Sequence, residues 1–355
     1  MIGRIPLPRL ISADGLQFQR RLRPIKATVE LNITPLSTAS LQMPEGDSLP
    51  ARAYVEMFTA LGSAGFFRVR SPQDSYGDDT AFAELEHAAV EIGDYLVRGK
   101  IQDTMSASDA LEAVFGHYRG SLWQIAAGSI SDTVVVDIDH DTVLSGLLAI
   151  MDQIPDYRMD FDFSTRPWTL RVVENSSSVT AEGRLGRNVS SARITYDDSE
   201  LCTRAFYEIE DKDSEGKPIS KWYTYDASTI DEYGIVERVV QVDISSTKSK
   251  AQRVVKEYLR KHKEPIISVE IDGQELSQIT GESLDSFQIG KMFRLALPDY
   301  GVTVKRRITE LIFDDVYEKP LQITVHLASA LDTVVSFLHD VAAGTGSSVG
   351  SGGGI

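Results

Sequence analysis

The densest group of metal-ligand residue types in the chain is Asp137-Ile138-Asp139-His140-Asp141. Carboxylates and an imidazole at such close spacing are donors that zinc or calcium uses. In a strand, Asp137 and Asp139 share one face, and His140 and Asp141 open the turn that follows. A solvated strand edge ending in a helix cap employs the same residues without an ion, and we favour that reading. Asp211, Asp213, Glu215 and Gly216 resemble the start of a calcium-binding loop, with glycine at the sixth place. The twelfth place should hold a bidentate glutamate and holds Trp222, so a polar hairpin loop is expected instead. His87 lies amid Ala and Glu with no nucleophile beside it. His87, His117, His140, His262, His326 and His339 form neither HxH nor HxxxH. HExxH, the phosphate-binding loop and GxGxxG are all missing. No carboxylate pair is singled out among many acids, so catalytic, cofactor and metal residues are each expected to be none.

Cys202 is the single cysteine and falls in a strand pattern, which suits a small buried hydrophobe better than a reactive thiol. The chain has 355 residues and a net charge of −16, which disfavours non-specific binding to nucleic acid or anionic membrane. An acidic wall would still let DNA slide past. Pro6 and Pro8 interrupt any signal-type apolar run, and no stretch of eighteen apolar residues occurs, so synthesis in the cytosol without a membrane span is expected.

The elements that must hold these residues are mostly strands. Alternation marks Ala27–Ile33, Tyr54–Phe58 and Phe66–Val69, with Leu36–Leu41 read as a polar corner. Helices are expected over about Glu84–Val97, from a cap at Ser106 or Ser108 to Gly120, and after a cap at Asp141 or Thr142. Tyr157–Asp162 alternates acid with aromatic, so its carboxylates should face water and its rings the core. Gly183–Glu210 gives two alternating strands divided at Asp197-Asp198, and Ser246–His262 an amphipathic helix that buries Val254 and Val255. Asp272-Gly273, between alternating runs, predicts a two-residue hairpin turn with positive φ at both positions. An apolar helix over Ala328–Ala343 and a flexible Gly/Ser tail are expected to close the chain.

Several of these segments, in this order, resemble one family. GRNVSSARITYDDSELCTRAFY (Gly186–Tyr207), Tyr225–Val240, the helix AQRVVKEYLRKHKEP, ISVEIDGQEL and Phe287–Asp314 look like the tail-hub proteins of tailed bacteriophages, also called tail-associated lysins or prophage tail endopeptidases. Ala83–Val97 resembles the helix after that family's first barrel. The resemblance implies an α+β, β-rich fold. It comprises two similar β-barrel domains, with α/β domains between and inserted, in a trimeric pseudo-sixfold ring. The implied divisions are a first barrel at 1–82, an α+β domain at 83–182, a second barrel at 183–328 with a helical insertion near 225–265, and a helix with tail at 329–355.

The implied work is structural. Such a hub joins a hexameric tube or distal tail protein to a central spike or fibre, in the virion, around a channel for tape-measure protein and DNA. Many family members carry a peptidoglycan hydrolase or receptor-binding extension, whereas this chain runs into Gly and Ser soon after the hub pattern. With no catalytic group to transfer, the endopeptidase activity is not carried over. The alternatives are a tail-associated peptidoglycan hydrolase and a carbohydrate-binding module for host attachment. Trp123, Trp168 and Trp222 are too dispersed in sequence to form an evident sugar platform.

Overall fold

The computed structural model describes residues 4–14, 17–33, 36–47, 49–73, 80–212, 217–245 and 247–328. The chain is β-rich. It opens with β1 (Arg9–Ile11), β2 (Phe18–Arg21), β3 (Lys26–Asn32), β4 (Thr38–Pro44), β5 (Tyr54–Thr59), β6 (Gly62–Gln73) and β7 (Thr80–His87). These pair antiparallel in the order β3-β4-β7-β6-β5-β1-β2. Ala39, Leu41 and Met43 alternate inward along β4, so the expected polar corner at 36–41 is largely a strand. The helix expected over 84–97 is also absent. Residues 80–87 form β7, clamped between β4 and β6, and Ala88–Asp94 is a 3-10 turn. Its Ala and Glu content favours helix, but Ala81, Ala83 and Leu85 fit the two-residue period that pairing on both edges rewards. Leu96, within that expected helix, is 55% exposed.

Next come β8 (Lys100–Ser106), α1 (Ala107–Phe115), β9 (Trp123–Ala126), β10 (Thr133–Asp139), α2 (Val143–Asp152), β11 (Tyr157–Asp162) and β12 (Trp168–Glu174). The Ser106 hydroxyl accepts from Asp109 N at 3.2 Å to start α1, and Thr142 accepts from Ser145 N at 3.0 Å to start α2. The first of these helices stops at Gly116, not Gly120. The two helices bury Leu111, Val114, Leu147 and Ile150 in one core with Val134, Val136 and Ile138 of β10. Strand β10 pairs with β8, and β12 lies between β11 and β9.

The rest of the chain supplies β13 (Val179–Arg184), β14 (Val189–Asp197), β15 (Arg204–Lys212), β16 (Pro218–Asp226), α3 (Ile230–Tyr233), β17 (Glu237–Val239), α4 (Lys248–His262), β18 (Ile266–Gln274), α5 (Ser277–Thr280), β19 (Met292–Leu297), β20 (Val302–Phe313) and β21 (Gln322–Ala328). Strand β18 continues through Asp272-Gly273, pairing all the way to Gln274 with β21, so no hairpin turn exists there. Gly273 serves close packing. A Cβ on it would stand 3.1 Å from the Phe287 ring and 3.2 Å from the Asn188 carbonyl oxygen.

One long strand connects the two ends of the chain. Along one edge of β20, residues 302–307 pair with β19 and Glu310–Phe313 pair with β3; its other edge pairs with β21. The outer parts expected as separate barrels thus share one sheet, with thirteen strands among the described residues. An expected boundary at 82/83 falls inside β7. Two compact units result: residues up to Arg193 together with those from Val269 onward, and Ile194–Ser268. The second unit is larger than the helical insertion expected near 225–265, because it includes the β15/β16 hairpin. There β15 lies between β16 and β17, and α4 buries Ala251, Val255 and Leu259 with Cys202, Ala205, Tyr207 and Ile209. Val254, expected inside, is 43% exposed. The helix and tail expected beyond residue 328 lie outside the described residues.

Candidate functional site

A concavity lies beside β11. Tyr157 is opposite Glu174 in the β11/β12 ladder, and Asn175 N donates to the Asp156 carbonyl at 2.7 Å. In an antiparallel ladder the bonded pairs alternate, so Arg158, Asp160 and Asp162 bond across to β12. The backbone groups of Met159 and Phe161 therefore point to the free edge. Neither amide has a hydrogen-bond partner among the described residues. This edge borders a cleft of about 510 Å³, closed on other sides by Leu31–Ile33, Ser63–Phe66, His87 and Ile289.

Under the cleft is an aromatic cluster. Phe163 packs against Phe66, Trp123 and Trp168 with ring centroids 5.3 to 5.6 Å apart, and Phe161 lies 4.4 Å from the His87 ring. Gly65 is needed for that closeness, since a Cβ there would be 2.6 Å from the Phe163 ring and its φ is +99°. The Phe161 ring thus faces the core as expected, and the Phe163 ring joins it there. The carboxylates opposite them are half-buried instead of fully in water. Asp162 accepts from the Ser164 hydroxyl and amide and pairs with Arg171, which together hold it below the usual carboxylate range. The Asp160 carboxylate has no hydrogen bond or ion pair with any described residue.

His87 is 4% exposed, and burial pushes its pKa from 6.5 down to about 3. Its Nδ1 accepts the Ala89 N–H at 3.2 Å, so the neutral ring carries its proton on Nε2. That makes it a structural cap and a donor, not a base poised near neutral pH. The stability consequence has a definite sign. The unfolded chain takes up a proton near pH 6.5 that the folded ring refuses, so this contribution is present above that pH and declines as pH falls toward 3. By pH 5 the loss should reach about 2 kcal/mol. Urea unfolding at pH 7 and 5 should show His87→Asn, which keeps an acceptor for Ala89, losing about that much less than the parent. Equal losses in the two proteins would contradict the assignment.

The other sequence candidates scatter. Asp137 is exposed and pairs with Lys100 at 3.3 Å, Asp139 pairs with the adjacent His140, and Thr142, not Asp141, caps α2. Among the described residues no group of three or more His, Cys, Asp or Glu is arranged to hold a metal. His117 accepts from Arg98 N, His262 lies 3.3 Å from Glu200, and His326 lies 3.6 Å from Glu310. His339 and the side chains of Asp211, Asp213 and Glu215 lie outside the described residues. Cys202 is fully buried, and burial raises its thiol pKa. Trp123 and Trp168 do converge, 5.3 Å apart, but both are buried; Trp222, in the second unit, is 52% exposed. The free edge of β11 escaped the sequence reading, since an alternating strand looks the same whether one edge or both are paired.

Residues 181–337 match the family model described as prophage endopeptidase tail. No curated protein matches the chain. Among solved structures, a prophage tail protein from Listeria monocytogenes superposes with TM-score 0.64 at 13% identity, covering 95% of this chain and 98% of that one. A tail protein from Neisseria meningitidis gives 0.63 at 13%, covering 92% and 99%. An Escherichia coli component of the type VI secretion system, described as structurally similar to T4 bacteriophage tail proteins, gives 0.51 at 10%, covering 90% and 75%. The likeness to phage tail proteins read from the sequence is thereby borne out, and the fold is the one these proteins share.

Proposed function

We propose that this chain is a structural protein of a tailed-phage tail tip or a related particle, working as a trimeric hub. Three copies would form a pseudo-sixfold collar between a hexameric tube or distal tail protein and a central spike or fibre. Tape-measure protein and DNA would pass through its lumen. The observation that carries this reading is β20, whose two halves pair with β19 and β3 along the same edge. One continuous strand ties two strand groups into one sheet, and a chain that offers two such surfaces is what a three-to-six adaptor needs. The net charge of −16 suits a lumen that repels phosphates. The buried, neutral His87 and the dispersed DIDHD residues favour a scaffold over a hydrolase.

Native mass measurement of the purified full chain at micromolar concentration should give about three times 39.2 kDa. A monomer that persists at that concentration would refute the ring. The same preparation should release no muropeptides from peptidoglycan, and release would restore the hydrolase.

A further inference from the structure

The free edge of β11 has the properties of a peptide-docking slot. Its unpaired backbone groups, at Met159 and Phe161, lie in a cleft of about 510 Å³ and not on an open surface. An added strand would satisfy them with main-chain hydrogen bonds, the recognition mode in which side chains supply only the selectivity. Selectivity is written in two neighbouring charges. Asp160 has no ionic partner among the described residues, unlike Glu56, which pairs with Arg9, and Asp162, which pairs with Arg171. Arg158 donates only to neutral acceptors, the Asn175 side chain at 3.3 Å and the Glu174 carbonyl at 3.5 Å. Both residues share one face of the strand, so an antiparallel neighbour would meet first the anion and then the cation.

We propose that this cleft accepts an extended segment of a partner polypeptide as an extra antiparallel strand on β11. The segment would place a Lys or Arg opposite Asp160 and, two residues later, an Asp or Glu opposite Arg158. Directly opposed unlike charges stabilise a strand pair, and like charges oppose it. Residues 329–355 of this chain are a weaker fit, because they contain neither Lys nor Arg. The proposal concerns the folded chain alone and does not depend on its being a trimer or a hub.

The probe is the acetylated, amidated heptapeptide Thr-Val-Lys-Val-Glu-Val-Thr, added to the full-length protein. A charge-swapped peptide, Thr-Val-Glu-Val-Lys-Val-Thr, and a peptide of residues 329–343 are run in parallel. At saturation the probe should slow hydrogen exchange of the Met159 and Phe161 amides at least tenfold. The swapped peptide should bind at least fivefold more weakly. Met159→Pro removes a donor only from the free edge and should abolish binding. Asp160→Lys leaves the backbone intact and should weaken the probe at least fivefold, which keeps the test valid if the proline variant misfolds. Three results would overturn the proposal: no protection of these amides by the probe, equal binding of the swapped peptide, or protection by the 329–343 peptide alone. The first would mean that the charges only keep an edge strand from aggregating.

Discussion

Replacing Trp168 with alanine should lower unfolding free energy by about 4 kcal/mol, the usual scale for emptying a large aromatic site in a core. The side chain is fully buried and touches Tyr54, Phe66, Trp123 and Phe163, with ring centroids between 5.0 and 5.4 Å. The Arg166 guanidinium sits 4.2 Å above its ring. These contacts join β5 and β6 to β9 and β12, so the cavity would open where two sheets of the first unit meet. Trp168→Phe should behave differently. The indole Nε1 is buried without a hydrogen-bond partner among the described residues, so phenylalanine forfeits volume but no hydrogen bond. It should cost about 1.5 kcal/mol or less. Denaturant midpoints with an unchanged slope would measure both values. A phenylalanine variant as unstable as the alanine variant would show that the Nε1 hydrogen is in use after all.

Arg68→Met is expected to cost about 3 kcal/mol, because it leaves the Glu86 carboxylate partly buried and unpaired. Arg68 lies in mid-β6, directly across from Glu86 on β7, with its side chain 9% exposed. Its guanidinium reaches Glu86 at 2.6 Å and Asp94 at 2.5 Å, and Asp94 is also held by Arg52. Glu86 and Asp94 retain some solvent, which places the cost at the low end for a buried pair. Adding Glu86→Gln to Arg68→Met should recover part of the loss, since the stranded charge is then gone. A double-mutant cycle tests this directly. Additive losses would mean that packing of the arginine stem, not its charge, is what stabilises the strand pair.

Local patterns made much of the chain legible. Alternation located β3 and β5, and the cap residues Ser106 and Thr142 located two helices, because these signals arise within a few neighbouring residues. Two misreadings share one cause. Residues 84–97 carry helix-favouring Ala and Glu, and Asp272-Gly273 carries a hairpin dipeptide, yet residues 84–87 and Asp272-Gly273 lie in strands held by partners distant in sequence. Pairing along both edges of β7 outweighs a propensity of a few tenths of a kcal/mol per residue. At Gly273 the crowding comes from Phe287 and the Asn188 carbonyl, which no local rule can anticipate.

The amino-acid order alone determined the class of this protein: a strand-rich chain bearing the ordered segments of a phage tail family. Each of those properties is carried by residue types and short spacings. Only the tertiary structure decided that β20 serves both ends of the chain, that His87 is a buried neutral cap, and that β11 has one edge unpaired among the described residues. These outcomes depend on which distant backbone groups and side chains meet, and that is fixed by the packing of the whole unit.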